Sequence, residues 1–125
     1  MAKVKTILFI DDNPLDRALI EKLLHKHNFN VLLAASAQDG LNLAEEQKPD
    51  LILLDILLPG VSGIEVCKKL KNKTITSSIP VIFYTSIDTP KHLIDYASYG
   101  AVDYLQKTTP SEILIRQIKN ILDVE

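Results

Sequence analysis

Ile7-Leu8-Phe9-Ile10-Asp11-Asp12-Asn13-Pro14 holds the decisive transition of this chain: an unbroken apolar run that stops on two adjacent carboxylates. Ile7–Ile10 has no polar alternation, as expected of a parallel strand buried on both faces. Asn13 followed by Pro14 reads as a helix N-cap with proline at the first helical position. Leu19, Ile20, Leu23 and Leu24 then recur at helical spacing, so the first helix is predicted to run to about His27. The first unit is therefore strand, acidic turn, helix.

The same unit repeats down the chain. Asn30–Ala35 is predicted as the second strand, and Ser36 caps a second helix in which Ala37, Leu41 and Ala44 share a face before Pro49. Leu51–Leu54 is the third strand and ends on Asp55. A loop with Pro59, Gly60 and Gly63 leads to a third helix with Ile64, Cys67 and Leu70 inward. Pro80–Tyr84, Pro90–Tyr99, Val102–Leu105 and Pro110–Leu122 complete the series as strand, helix, strand and helix. Five such units in succession predict an α/β fold, a doubly wound parallel sheet between helices with right-handed crossovers. Internal repeats, low-complexity tracts and linkers are absent, and residues 1–125 read as a single domain.

Composition supports a folded chain and narrows its partners. Of 125 residues, 46% are apolar and 24% charged, enough to bury one core and unlike a disordered segment. Fourteen Lys and Arg against sixteen Asp and Glu leave a formal charge of −2, without the basic surplus of a direct nucleic-acid binder. Cys67 is the only cysteine, so no intramolecular disulfide can form and a reducing compartment fits. The apolar runs are too short to span a bilayer, and Ile7–Ile10 lacks a signal-peptide cleavage pattern; the expected location is the cytoplasm.

In doubly wound sheets, ligands sit beyond the carboxyl ends of the strands. Asp11 and Asp12, Asp55, Thr85 and Ser86, and Lys107 all follow strand ends here. Each alone is an ordinary turn former or surface charge. Together they place three carboxylates, a hydroxyl and an ammonium at one edge. Converging carboxylates repel one another, and a hard divalent cation such as Mg²⁺ relieves that repulsion through oxygen ligands. A carboxylate beside such an ion can attack phosphorus and form an aspartyl phosphate. Lys107 would offset phosphoryl charge, and the Thr85 hydroxyl would hydrogen-bond a phosphoryl oxygen.

With these residues in place, the chain resembles the receiver domain of two-component response regulators from Lys5 to Leu122. The matching segments are Ile7–Asn13, Pro49–Asp55 with Leu58-Pro59-Gly60, Ile79–Ser86 and Gly100–Lys107. The resemblance implies a flavodoxin-like (βα)5 fold with strand order 2-1-3-4-5. It makes Asp55 the phosphoacceptor, gives Asp12 a direct Mg²⁺ contact and Asp11 one through water, and adds the Leu57 backbone carbonyl as a ligand. Mn²⁺ would serve in place of Mg²⁺. Thr85 and Lys107 would engage the phosphoryl group, and Tyr104 would turn inward when Thr85 moves. A sensor histidine kinase or phosphotransfer protein would supply the phosphoryl group. Such a domain is a phosphorylation-dependent switch rather than a turnover enzyme, slowly hydrolysing its own acyl phosphate. Phosphorylation would favour one arrangement of the helix over 90–99, the fifth strand and the last helix. No further domain follows in this sequence, so the expected output is contact with a separate effector protein.

Two features depart from the receiver pattern. Lys107 is followed by Thr108 and Thr109, with proline only at Pro110, so a trans Lys107–Thr108 peptide is expected. Leu57 and Ile87, two positions beyond Asp55 and Thr85, are both apolar. The first helix near Asp16 and Leu19, with the Thr108–Pro110 loop, is the expected kinase-docking surface. The expected output face surrounds Lys91, Asp95, Tyr104 and Arg116. Cys67 reads as a core thiol, His25, His27 and His92 as surface residues, and Tyr96 and Tyr99 as packing residues.

Three other functions fit less well. A flavodoxin-like cofactor module would carry a glycine-rich phosphate loop where Asp11 and Asp12 stand. An aspartate-nucleophile phosphohydrolase would space its two aspartates by one residue and carry a cap domain. A pseudo-receiver, signalling by phosphorylation-independent protein contact, would not need the five site residues that are present.

Overall fold

A computed structural model of the chain describes residues 3–87 and 95–125. Among them, five strands and four helices follow in the order β1 (Thr6–Ile10), α1 (Pro14–Lys26), β2 (Asn30–Ala34), α2 (Ala37–Gln47), β3 (Leu51–Leu54), α3 (Gly63–Asn72), β4 (Val81–Thr85), β5 (Asp103–Gln106) and α4 (Ser111–Leu122). All strands are parallel, in the order β2-β1-β3-β4-β5, the flavodoxin-like order. The strand order reverses between β1 and β3, the switch point of the sheet. Their register pairs Ile10 with Leu54, so both strands end level and Asp11 and Asp55 emerge side by side.

Alternation along each strand splits the core in two. Leu8, Ile10, Ile52, Leu54, Val81, Phe83 and Tyr104 cluster with Ala37 and Ala44 of α2 and Val66, Cys67 and Leu70 of α3. Ile7, Phe9, Leu51, Leu53, Ile82 and Tyr84 pack on the other face with Ile20 and Leu24 of α1 and Leu114, Ile115 and Ile118 of α4. A fully buried side chain of this kind contributes roughly 1.5–3 kcal/mol, so the central strands are the rigid base of the site.

Helix boundaries follow their caps. Asn13 Oδ1 accepts from the Leu15 and Asp16 amides, and Ser36 Oγ from Asp39, fixing the starts of α1 and α2. The first helix ends in a Schellman arrangement: Phe29 N–H donates to Leu24 O and Asn28 N–H to His25 O, with Asn28 at φ 67°.

Two strands shift by one residue from the sequence expectation. Pro80 lacks an N–H and precedes β4, although its carbonyl accepts from Ile52. Similarly, Val102 is exposed and precedes β5, while Gln106 joins the ladder opposite Thr85. Half of the helix expected over Pro90–Tyr99, residues 90–94 with Lys91 and His92, lies outside the described residues. Its described tail, residues 96–100, is turn. The closing bonds run from Ala101 N–H to Tyr96 O and from Gly100 N–H to Ala97 O, with Gly100 at φ 95°. That geometry favours glycine.

Candidate functional site at the carboxyl edge of the sheet

Asp11 and Asp55 are delivered by level strand ends and locked by main-chain bonds. Asp55 N–H donates to Ile10 O at 3.0 Å, and Asp11 N–H to Ala34 O at 3.0 Å. Their side chains are buried, while Asp12 is exposed at the rim. Asp11 Oδ1 accepts the Asn13 amide at 2.9 Å, and Asp55 Oδ1 accepts the Leu57 amide at 3.1 Å. One carboxylate oxygen from each of Asp11, Asp12 and Asp55 lies within 4.8 Å of the others.

Gly63 lets the start of α3 approach the main chain of Asp55 and Ile56. A Cβ there would stand 2.1 Å from the Asp55 carbonyl oxygen and 2.8 Å from Ile56 Cα. The Gly63 amide instead donates to Ile56 O at 2.9 Å, tying the start of α3 to the turn after β3.

Lys107 balances the acidic cluster. Its ammonium lies 2.6 Å from Asp11 Oδ2, 2.7 Å from Asp16 Oδ2 and 3.1 Å from Asp55 Oδ2. The contacts with Asp16 and Asp55 are hydrogen bonds. The Asp11 contact is a close ion pair off the hydrogen-bond direction, and buried Asp11 Oδ2 has no hydrogen-bond partner. Burial pushes the Lys107 pKa down, but the adjacent Asp11, Asp16 and Asp55 carboxylates outweigh it and hold the ammonium above its ordinary range. Burial raises the Asp11 pKa; Lys107 and the Asn13 amide oppose this, and the Asp55 charge adds to the rise.

Thr85 and Lys107 meet through the main chain: Lys107 N–H donates to Thr85 O at 2.8 Å. Thr85 is fully buried, and its Oγ1 accepts the Ile87 amide at 3.4 Å. Tyr104, at 2% exposure, already points inward and donates its hydroxyl to Ile87 O at 3.3 Å. Its side chain belongs to the core cluster that includes Phe83 and Ala101, beneath the expected output face. Asp95 and Arg116 are exposed. The Lys107–Thr108 peptide is trans, as expected.

Sequence reading missed three participants. Asp16, named only for an expected docking surface, turns its carboxylate onto Lys107, because the Asn13 cap aims the first turn of α1 at the cluster. Arg17 Nη1 donates to the Asp11 carbonyl at 2.8 Å, adding a second cation beside the acidic loop. Tyr84 OH reaches the Lys107 carbonyl at 3.5 Å; burial, with the Asp16 charge, raises the phenol pKa. An Asp in a first helical turn otherwise reads as a dipole partner, so Asp16 carried no distinctive signal.

Other expectations concern the surroundings. Cys67 is buried, donates to Tyr99 O at 3.3 Å, and has its thiol pKa raised by burial against the opposing Lys71 charge. Tyr96 and Tyr99 pack half-buried against the core, whereas His25 is exposed and His27 half-buried. On α1, Leu15 and Leu19 are exposed, as is the Leu57 side chain beside the site. No helix among the described residues is long and apolar enough to cross a membrane.

Fold and site define a doubly wound α/β domain with an acidic, lysine-bridged cluster at its carboxyl edge. Residues 7–119 match the response regulator receiver domain family, and the chain belongs to that family. It is 37% identical to Protein PilH of Pseudomonas aeruginosa over 93% of this chain and 96% of that protein. It also matches the crystal structure of a putative response regulator from Chloroflexus aurantiacus at TM-score 0.89 and 30% identity, over 97% and 99% of the two chains. A receiver domain of sensor histidine kinase PA1611 from Pseudomonas aeruginosa, with magnesium coordinated in its active-site cleft, matches at TM-score 0.87 and 26% identity, covering 97% of this chain and 99% of that one. The chain spans about half the length of the transcriptional regulatory proteins AfsQ1 and PhoB that it also matches. It therefore has a two-component signalling role and is a signalling domain rather than a turnover enzyme.

Proposed function

We propose that this protein is a phosphorylation-dependent switch whose phosphoacceptor is Asp55. The observation that carries this reading is the Asp11–Lys107–Asp55 arrangement, which presents a buried carboxylate between a cation and an acidic ion-binding edge. A carboxylate oxygen of Asp55 attacks phosphorus of a phosphohistidine, forming an O–P bond as the P–N bond breaks. The imidazole leaves with the electron pair and takes a proton.

The donor set fits Mg²⁺, or Mn²⁺ in its place: hard carboxylate oxygens from Asp11, Asp12 and Asp55, with Asp11 Oδ2 lacking a hydrogen bond. Asp12 and Asp55 would bind it directly, Asp11 through a water, and the Leu57 carbonyl would complete the protein ligands. Bound there, the ion supplies charge neutralisation for the transferring phosphoryl group. Lys107 offsets the remaining charge, and the Thr85 hydroxyl donates to a phosphoryl oxygen. Movement of Thr85 toward the phosphoryl group breaks its contact with the Ile87 amide, whose carbonyl holds Tyr104. That linkage supports Tyr104 as the reporting aromatic.

Partners follow from this chemistry: a sensor histidine kinase or phosphotransfer protein upstream and an effector protein downstream, with the protein acting in the cytoplasm as one domain over residues 1–125. Leu15 and Leu19, exposed on the helix that borders the site, are the proposed apolar contact for the donor protein. Incubation with acetyl phosphate should add the mass of one phosphoryl group only with Mg²⁺ present. Asp55→Asn should add none. A folded wild type that takes up no phosphoryl group from either acetyl phosphate or a histidine kinase would instead identify a pseudo-receiver.

A further inference from the structure

Asp16 has no assigned part in this chemistry, yet it makes the shorter of the two hydrogen bonds from the Lys107 ammonium: 2.7 Å, against 3.1 Å to Asp55. Its position is fixed from both sides. The Asp16 amide donates to Asn13 Oδ1, Asn13 N–H donates to Asp11 Oδ1, and Lys107 N–H donates to Thr85 O. The main chains are pinned, so the exchange of partners falls to the Lys107 side chain.

We propose that Asp16 is a positioning residue for Lys107: its carboxylate draws the ammonium toward α1 and competes with an incoming phosphoryl group for it, which sets the rate of Asp55 phosphorylation. This inference rests on the reading of Asp55 as phosphoacceptor and adds a regulator to it. An ammonium has three N–H donors and a single charge to distribute. A phosphoryl group on Asp55 brings up to two negative charges to the same point. Of its carboxylate partners, the more exposed Asp16 is the one Lys107 loosens to meet it. That exchange is inexpensive because the Asp16 side chain is 29% exposed and regains water when released, whereas the Asp55 side chain is 4% exposed. Release of a partly exposed ion pair is worth about fivefold in rate.

The test measures acetyl phosphate labelling at saturating Mg²⁺ in wild type, Asp16→Asn, Asp16→Glu, Lys107→Gln and the Asp16→Asn/Lys107→Gln double variant. A small donor removes any effect of Asp16 on docking of a protein. Asp16→Asn should label about fivefold faster than wild type, and Asp16→Glu should return the rate toward wild type. In the Lys107→Gln background, Asp16→Asn should leave the rate unchanged. A slower Asp16→Asn variant, or the same gain without Lys107, overturns the proposal, the latter showing only general relief of negative charge. Metal-free melts of the same four-member cycle measure the coupling between the two side chains without any phosphoryl chemistry. Coupling with no labelling of wild type overturns the phosphoacceptor reading while locating the pair. Labelling without coupling overturns the role of Asp16 alone.

Discussion

Removing Lys107 should strongly destabilise the metal-free protein. Its ammonium is 2.6–3.1 Å from three carboxylates, with only 16% of its side chain exposed. At an effective dielectric of about 20, each contact has a gross Coulomb energy of about 5–6 kcal/mol. Desolvation of the ammonium cancels much of it, and removing one member of a buried ion pair typically costs about 3–5 kcal/mol. The Lys107→Ala variant should fall at the lower end, because Asp16 can rehydrate. About 3 kcal/mol corresponds to a melting-temperature loss of roughly 12 °C in a domain of this size. The pH dependence is set by Asp11, whose pKa burial raises even with Lys107 present. For a group raised on folding, the associated stability is present below its unfolded pKa of about 3.9 and lost as pH rises through the folded value. The Lys107→Ala deficit should therefore be full at neutral pH and narrow in acid as Asp11 takes a proton. Mg²⁺ should also stabilise the variant more than wild type, since it replaces the missing cation. Thermal melts at neutral and acidic pH, with and without Mg²⁺, provide the assay. A metal-free loss below about 4 °C at neutral pH, roughly 1 kcal/mol, would show that the ammonium does not hold the cluster together.

Other variants probe separate parts of the site. Gly63→Ala places a methyl group against the Asp55 carbonyl, so it should lower stability by about 2–4 kcal/mol in chemical denaturation and weaken Mg²⁺-dependent stabilisation; a neutral substitution would refute the close-approach account. Leu57 and Ile87 give an attacking water no side-chain hydrogen bond, so Ile87→Glu should shorten the acyl-phosphate lifetime by up to ~100-fold, followed as loss of phosphoprotein after donor removal. An unchanged lifetime would show that the apolar flank does not limit hydrolysis. Burial raises the Cys67 thiol pKa, and iodoacetamide at pH 8.5 should modify it rapidly only after denaturant is added; rapid labelling of the native protein would contradict its core position.

What was legible in the sequence was mostly what strand ends impose. Apolar runs at Ile7–Ile10 and Leu51–Leu54 specify buried parallel strands, and level register then forces Asp11 and Asp55 together. Lys107 was legible for the same reason, one residue beyond β5. Asp16 and Arg17 were not, because their roles depend on how the Asn13 cap aims α1, and a propensity argument sees only an acidic first turn. Strand edges also slipped at Pro80, which lacks an N–H donor, and at Val102, whose amide still bonds Val81 O although the strand itself begins at Asp103. Tyr104 could be assigned to a strand but not to an inward rotamer, which is set by the Ile87 carbonyl across the loop.

The central claim is that Asp55, and neither neighbouring carboxylate, receives the phosphoryl group. Borohydride reduces an acyl phosphate to an alcohol, leaving homoserine where the phosphorylated aspartate stood. Wild-type protein labelled with acetyl phosphate and Mg²⁺, reduced, digested and sequenced by tandem mass spectrometry should carry homoserine at position 55 alone, and at no position when Mg²⁺ is withheld. Homoserine at position 11 or 12, or metal-independent modification of position 55, would contradict the account.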